Sequence, residues 1–291
     1  MTALCIYHGH CDDGFAAAWA VRKALGNDVE FYPGIYQKEP PPHESRDVIF
    51  VDFSYKRPVL DAMSRKARSI LILDHHKTAA EDLKDLQAPF GPGWKRHLDN
   101  VYQDTCEGVG GKMYALFDME RSGAALAWDF FIEGPRPDFI EYIQDRDLWR
   151  KALAGGAEFT IALRSYPQDF DVWDGLIGRG ASALIDEGAS IQRYYRLRVE
   201  ELKRSAYEAK LGEHSCWISN APYFAASEVA GELAERGLDF GSCYFEVEKG
   251  RFQYSLRSRG DFDVSAVAKQ FGGGGHKNAA GFTSDGHAHN I

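Results

Sequence analysis

The sequence lacks a pattern of paired cysteines, and this absence excludes the small disulfide-stapled class of protein. Its five cysteines are Cys5, Cys11, Cys106, Cys216 and Cys243. None of them forms a C-x-x-C pair, and their number is odd. A disulfide framework needs an even set of partners in an oxidising compartment. The cysteines are therefore expected to be free thiols, as in a reducing cytosol.

Long apolar runs and an excess of positive charge are also missing. No run approaches the ~18 apolar residues that span a bilayer, and the apolar start at residues 3–7 is too short for a signal peptide. The formal net charge is −9. An acidic surface does not bind long nucleic acid by electrostatics alone, because that binding depends on cationic contacts with phosphates. We therefore expect a cytoplasmic protein with no membrane partner and a small substrate.

The first half of the sequence contains alternating strand and helix patterns. The 291 residues, 44% of them hydrophobic, are enough for two domains with packed cores. Short apolar runs predict strands at residues 3–7, 29–32, 48–53 and 70–73. An alanine-rich stretch predicts a helix at 15–25, and Pro58 begins another that runs to about residue 66. This alternation indicates an α/β fold with a parallel sheet.

The second half predicts a connector and a smaller domain. Helices are expected at residues 122–131 and 138–145, and a long helix with mixed charges at 182–211. After Gly212 the pattern restarts with strands at 216–219, 242–248 and 251–258 and a helix at 264–271. The predicted organisation is therefore a catalytic domain over residues 1–181, a linker helix over 182–211 and a smaller α/β domain over 212–291.

Acidic and imidazole side chains follow several of the predicted strands. Ligands of open parallel sheets bind beyond the carboxyl ends of the strands, so these residues are expected to meet. An aspartate there can instead be a helix N-cap, and a single histidine is usually structural, so the prediction depends on the combination. Carboxylates and imidazoles suit Mn²⁺, and one carboxylate can bridge two metals. The candidate ligands are His8, Asp13, Asp52, His75 and Asp145.

A run of four glycines near the C-terminus suggests a phosphate-binding loop. Gly272 to Gly275 precede His276 and Lys277. Successive glycines let backbone N–H groups approach and surround an anion, so Gly273, Gly274, Gly275 and His276 are candidate substrate ligands. The alternative is a flexible linker. Arg257, at the end of a predicted strand, could bind a phosphate with two hydrogen bonds, or it could be an ordinary surface arginine.

These motifs together resemble the DHH phosphoesterase superfamily with a C-terminal DHHA1 domain. Asp74-His75-His76 matches the motif that names the superfamily. Two further matches are Val51-Asp52-Phe53-Ser54 and the block from Gln144 to Trp149. The run Gly272 to Gly281 resembles the DHHA1 glycine-histidine signature. The resemblance extends from His8 to Phe282.

The resemblance implies two Mn²⁺ ions and a role for each matching residue. Asp52 would bridge the ions; His8 and an acid of the first motif would complete one site, and Asp13, His75 and Asp145 the other. His76 would lie beside the scissile phosphate as an acid or a transition-state stabiliser, so His76, Asp52 and His75 are the expected catalytic residues. His276, the glycines and Arg257 would bind the substrate from the second domain.

The first motif differs from the usual pattern of the superfamily, in which two aspartates are separated by one residue. Here the order is His8-Gly9-His10-Cys11-Asp12-Asp13-Gly14. Cys11 occupies the place of the first acid if Asp13 is the second. Asp12 could take that role instead, or His10 could replace His8. Asp147 is a further alternative, either as a ligand or as a residue that orients Arg146 or a metal ligand.

Within the superfamily, the first motif and the Asp-Arg-Asp-Leu-Trp block are most similar to the branch of nanoRNases (oligoribonucleases) and cyclic-nucleotide phosphodiesterases. This similarity implies hydrolysis of short oligoribonucleotides, dinucleotides or cyclic nucleotides by two-metal activation of water. The alternatives are an exopolyphosphatase, a RecJ-like single-strand exonuclease and a nucleotide sensor without catalysis. The expected partner is a small nucleotide or a short oligonucleotide, and the sequence leaves a homodimer open.

Overall fold

The computed structural model describes residues 3–26, 28–86 and 112–290. Contacts within the chain divide it into two compact units, Met1–Ile191 and Gln192–Ile291. Cys106 lies outside the described residues. Across the described ranges, no helix combines the length and the apolar character that a bilayer span requires.

The first unit is built on a parallel sheet, as the strand pattern predicts. Its strands form a single sheet in the order second, first, third, fourth, fifth along the chain, and every neighbouring pair is parallel. The third strand is buried at every position, which explains why its residues 48–51 are all apolar. The strands are β1 (Ala3–His8), β2 (Val29–Gly34), β3 (Asp47–Val51), β4 (Ser69–Asp74) and β5 (Lys112–Phe117).

Helices cover both faces of this sheet, and alternate residues of β1 contribute to two separate cores. Cys5 belongs to a core with Phe15 and Trp173, whereas Leu4 and Ile6 belong to the other. The helices of this unit are α1 (Asp12–Leu25), α2 (Arg57–Ser64), α3 (Lys77–Asp82), α4 (Gly123–Phe131), α5 (Asp138–Asp147), α6 (Gly156–Leu163) and α7 (Phe170–Arg179). Helix α8 (Ala181–Arg204) follows, and the division between the units falls within it.

The second unit contains a mostly antiparallel sheet of seven strands. They are β6 (Tyr207–Leu211), β7 (His214–Asn220), β8 (Phe240–Glu248), β9 (Arg251–Arg257), β10 (Gly274–His276), β11 (Ala279–Asp285) and β12 (His289–Asn290). Their order is β10-β11-β9-β8-β7-β6-β12, and of these pairs β7 and β8 run parallel. Two further helices are α9 (Tyr223–Leu233) and α10 (Val264–Gln270).

The prediction of one helix over residues 182–211 is wrong at its C-terminal end. Helix α8 ends at Arg204, and Tyr207–Leu211 is the strand β6. Along β6, Glu208 and Lys210 are exposed while Ala209 and Leu211 are buried. This alternation has the period of two that belongs to a strand with one buried face. The last residues of the expected linker are therefore part of the second sheet.

Candidate metal centre and phosphate-binding residues

Acidic and imidazole side chains meet where β1, β3 and β4 end. His8 is the last residue of β1, Asp52 follows β3, and Asp74 ends β4 immediately before His75 and His76. Within the described part of the chain, these side chains form two groups of the kind that holds a metal ion. The groups are His8 with Asp52 and His76, and Asp13 with Asp52 and His75. Asp52 is common to both.

Asp52 lies at the centre of this cluster and is almost completely buried, at 1% exposure. Its Oδ1 is 3.0 Å from His75 Nε2, and its Oδ2 is 3.4 Å from His8 Nδ1. Its φ of 56° lies in the left-handed region, which aspartate tolerates better than most residues. Burial opposes ionisation, but interactions with the two histidines outweigh it and lower the pKa of Asp52 to about 2.

Asp13 is positioned by the N-terminus of α4. It lies in the first turn of α1, and its Oδ2 and Oδ1 accept hydrogen bonds from the backbone N–H groups of Gly123 and Ala124, at 2.6 and 3.0 Å. A helix N-terminus favours negative charge, so this contact fixes the carboxylate. Asp13 Oδ2 is also 3.9 Å from His75 Nε2. Burial, together with the charges of Asp52 and Asp147, raises the pKa of Asp13 well above its ordinary value.

The structure brings Asp147, rather than Asp145, to His75. Asp147 Oδ2 is 3.5 Å from His75 Nε2. Asp145 instead accepts hydrogen bonds from the backbone N–H groups of Ala152 at 2.8 Å and Leu153 at 3.3 Å, one on each carboxylate oxygen. The expected ligand Asp145 therefore lies outside both groups, because its oxygens stabilise the loop that follows α5.

Asp74 holds His76 and is not itself one of the clustered ligands. Its Oδ1 is 2.7 Å from His76 Nδ1 and also accepts hydrogen bonds from the backbone N–H groups of His75 and His76. The hydrogen bond to Asp74 raises the pKa of His76. The hydrogen bond between His76 Nδ1 and Asp74 also fixes the orientation of the imidazole ring. The His76 side chain keeps 35% of its surface exposed. His76 is thus an oriented imidazole that solvent or a substrate can reach.

The three alternatives for the first motif have different surroundings. Asp12 pairs with Arg164, with 2.7 Å between its Oδ2 and the arginine Nε. His10 is exposed and lies at a positive φ of 59°. Cys11 precedes α1, and burial with the nearby charges of Asp52 and Asp13 raises the pKa of its thiol. None of the three belongs to either described ligand group.

Gly123 makes the close approach of α4 to the cluster feasible, and sequence analysis did not identify it. A Cβ at this position would lie 2.4 Å from the Cβ of Asp52 and 2.9 Å from Asp13 Oδ2. Ser122 caps the helix, with its side chain accepting a hydrogen bond from the N–H of Ala125. A glycine directly after a serine cap, at the start of an alanine-rich helix, was the available signal for such an approach.

The residues predicted to bind phosphate are in the second unit. In the sheet register, Arg257 pairs with Ala279, and Ala279 pairs with His276. Residues directly opposite in antiparallel strands point to the same face, so Arg257 and His276 share a face. Arg257 Nη2 donates to Ser227 Oγ at 2.8 Å, and the arginine lines a cavity of about 580 Å³. His276 is exposed at the edge strand.

The glycine run is part of a hairpin. Gly273 precedes β10, and Gly274 and Gly275 form it together with His276. A Cβ at Gly275, whose φ is 143°, would lie 2.5 Å from the carbonyl oxygen of Ala279 on the paired strand. Close packing of the hairpin thus accounts for this glycine without a ligand. Its binding of an anion stays a prediction.

Comparisons with known proteins agree with this architecture. Residues 222–290 match the DHHA1 domain family. The chain also has the fold of a solved DHH domain from a member of a family of ribosomal proteins, with a TM-score of 0.52 at 11% identity over 96% of this chain and 82% of that one. Residues 222–290 are thus similar to DHHA1 domains, and the chain has the fold of a solved DHH protein. The predicted α/β fold class is confirmed.

Further similar proteins match nearly the whole of this chain. The chain is 29% identical to an uncharacterized protein of Acanthamoeba polyphaga mimivirus, over 97% of this chain and 67% of that protein. RecJ of Thermus thermophilus, solved with Mn²⁺, is 15% identical with a TM-score of 0.49; the match covers 97% of this chain but 49% of RecJ. The pGpG-specific phosphodiesterase PggH of Vibrio cholerae is 10% identical with a TM-score of 0.45, over 98% and 93% of the two chains.

Proposed function

We propose that this protein is a metal-dependent phosphodiesterase that hydrolyses short oligoribonucleotides, dinucleotides or cyclic nucleotides. The observation that carries the proposal is the sharing of Asp52 by two groups of ligands. One carboxylate between two such groups is the arrangement of two-metal phosphoesterases. The formal charge of −9 favours a short substrate over a long nucleic acid.

The residues present fit a pair of divalent cations. Asp52 Oδ2 is buried without a hydrogen-bond partner among the described residues. Burial, followed by the charge of Asp52, raises the pKa of Asp147, so the carboxylates in the cluster repel one another. Cations would relieve this repulsion, and a donor set of oxygen and imidazole nitrogen suits Mn²⁺. His8 and Asp52 would hold one ion, and Asp13, Asp52, His75 and Asp147 the other.

When bound, such ions polarise the phosphoryl group and lower the pKa of a water molecule that attacks it. The side chains of the protein position the reacting groups and supply a proton to the leaving oxygen. His75 is held between Asp52 and Asp147, which fixes it as a ligand. His76, oriented by Asp74 and partly exposed, donates a proton to the leaving oxygen. In the second unit, Arg257 and His276 remain candidate ligands of a phosphate group.

The experiment is a substrate panel with metal-stripped protein to which Mn²⁺ is returned. The panel contains pGpG, cyclic AMP, pAp, a single-stranded DNA and polyphosphate. A phosphodiesterase should release product from pGpG or cyclic AMP, whereas pAp contains only phosphomonoesters. Asp52→Asn should abolish the release while the fold is kept. Asp171→Asn is the matched control, because Asp171 has an 86% exposed side chain and pairs with Arg22.

The remaining outcomes decide between functions. Turnover of polyphosphate or of single-stranded DNA in preference to the short nucleotides would replace the proposal with an exopolyphosphatase or an exonuclease. Binding of a nucleotide without turnover under any metal would indicate a sensor. Full activity of Asp52→Asn would refute the assignment of the site.

A further inference from the structure

A cavity of about 200 Å³ opens beside the metal cluster. Asp13 and Asp147 line it, and both carboxylates also approach His75. The lining also includes Arg146, Trp149 and Arg164. Pockets that enclose a whole drug-sized ligand are roughly 300–1,000 Å³. A smaller cavity of this kind fits one ring system at the side of the reacting phosphate.

Trp149 is exposed to an extent that is unusual for tryptophan. It keeps 64% of its surface accessible, although Arg146 Cζ lies 4.9 Å and Lys151 Nζ 3.9 Å from its ring centroid. Its φ is 57°, a left-handed conformation that is strained for a bulky side chain. Trp149 therefore contributes little to the hydrophobic core, although its placement requires a strained backbone conformation.

The loop that carries Trp149 is built by Asp145. The carbonyl oxygen of Asp145 accepts hydrogen bonds from the N–H groups of Arg150 and Lys151, at 2.9 and 3.3 Å. Its carboxylate binds the N–H groups of the next two residues. Lys151 also has a positive φ, of 52°. Asp145 thus acts as a positioning residue that holds a strained turn, which lies two residues after Asp147.

We propose that Trp149 stacks a nucleobase of the substrate beside the metal centre, which makes the substrate class a nucleotide rather than a polyphosphate. An aromatic face binds any base by stacking, and a nearby cation strengthens the contact with a nucleotide. Arg146 and Lys151 place two positive charges at this ring in a protein that is acidic overall. The inference rests on the proposed phosphodiesterase activity and adds the recognition of the base.

The test compares pGpG with an analogue in which one nucleotide lacks its base. In wild-type protein, kcat/KM should favour pGpG. Trp149→Ala should reduce this preference on the order of 5-fold to 150-fold, the effect of one base stacked on one aromatic ring. Trp149→Phe should restore most of it, because phenylalanine keeps a stacking face. Tyr194→Ala is the matched control, since Tyr194 is 62% exposed and also lies beneath an arginine, Arg198.

A binding measurement separates this inference from the proposed function. GMP is titrated into Asp52→Asn protein with and without Trp149→Ala, and thermal melting confirms that both variants are folded. The tryptophan variant should bind GMP more weakly by the same factor. An unchanged affinity, or an unchanged preference for pGpG in an active enzyme, would overturn the stacking role. If the wild-type protein hydrolyses nothing in the panel, but the two variants differ in GMP affinity as expected, the phosphodiesterase proposal alone is refuted.

Discussion

Asp145 and Asp147 are two residues apart on α5, yet only Asp147 approaches the metal cluster, with its Oδ2 3.5 Å from His75 Nε2. Asp145 points its carboxylate at the N–H groups of Ala152 and Leu153. Positions two residues apart on a helix are separated by roughly 200° around its axis, so they face nearly opposite sides. Asp147 therefore lies beside His75, whereas Asp145 supports the following loop.

This division predicts different phenotypes for the two aspartates. Asp147→Asn should weaken metal affinity by roughly 10- to 100-fold or more, the effect seen even for outer partners of metal ligands, with unfolding unchanged. Asp145→Ala should instead lower the free energy of unfolding by about 1–3 kcal/mol, because it leaves two backbone N–H groups without acceptors. Urea unfolding and Mn²⁺ titration measure the two effects. The reverse pattern would restore Asp145 as the ligand.

Gly123 is expected to tolerate no side chain. Gly123→Ala places a Cβ 2.4 Å from the Cβ of Asp52, so α4 or the cluster must move. We expect a loss of about 1–3 kcal/mol in the free energy of unfolding from overpacking, and a loss of activity from displaced ligands. Gly178→Ala in α7 is the control, since no described residue beyond its chain neighbours and its own helix backbone lies within 4 Å of the added Cβ. That change should be neutral or stabilising by up to ~1 kcal/mol. Equal effects of the two substitutions would contradict this account.

Metal binding should raise the thermal stability of the wild-type protein. A ligand that binds the folded state at 100 times its Kd adds about 2.7 kcal/mol to stability. Melting of chelator-treated protein with and without Mn²⁺ measures the shift, which Asp52→Asn should lose and Asp171→Asn should keep.

His76 is expected to behave differently from His75 in the same melting experiment. His76→Ala should keep most of the Mn²⁺-induced shift but lose kcat, since its proposed role is to donate a proton. His75→Ala should lose the shift, because its Nε2 lies within 3.9 Å of Asp13, Asp52 and Asp147. A shift abolished by His76→Ala would make that residue a metal ligand.

The pH dependence of stability should include a contribution from Asp129. Burial disfavours its charge, but the guanidinium groups of Arg136 and Arg121 outweigh burial and lower the pKa of Asp129. A carboxyl with a lowered folded pKa stabilises the fold above the unfolded pKa of about 3.9 and loses that effect as the pH falls through the folded pKa. Asp129→Asn should therefore cost about 1–3 kcal/mol at pH 7 and much less at the acidic end. Urea unfolding of the wild-type and variant proteins at several pH values measures this cost. If the difference in free energy of unfolding stayed constant with pH, the ion pairs of Asp129 would be excluded as its source.

The sequence predicted much of the parallel sheet because short apolar runs, each followed by polar residues, mark the strands locally. Strands β1, β3 and β4 are short apolar runs. Strand β1 ends at His8, β3 ends just before Asp52, and β4 ends at Asp74. Strand β6 was predicted as helix because charged residues continue from α8 into Tyr207–Leu211. The strand β5 and the helices α6, α7 and α9 were not predicted.

By itself, the sequence determined that acidic and imidazole residues would gather at one edge of a parallel sheet. The carboxyl ends of parallel strands lie at one edge of the sheet, so His8, Asp52 and His75 were expected at that edge. Only the tertiary structure decided which side of α5 faces His75 and how closely α4 approaches Asp52. Those outcomes depend on how helices pack against the sheet, which side-chain volumes distant in the sequence determine together.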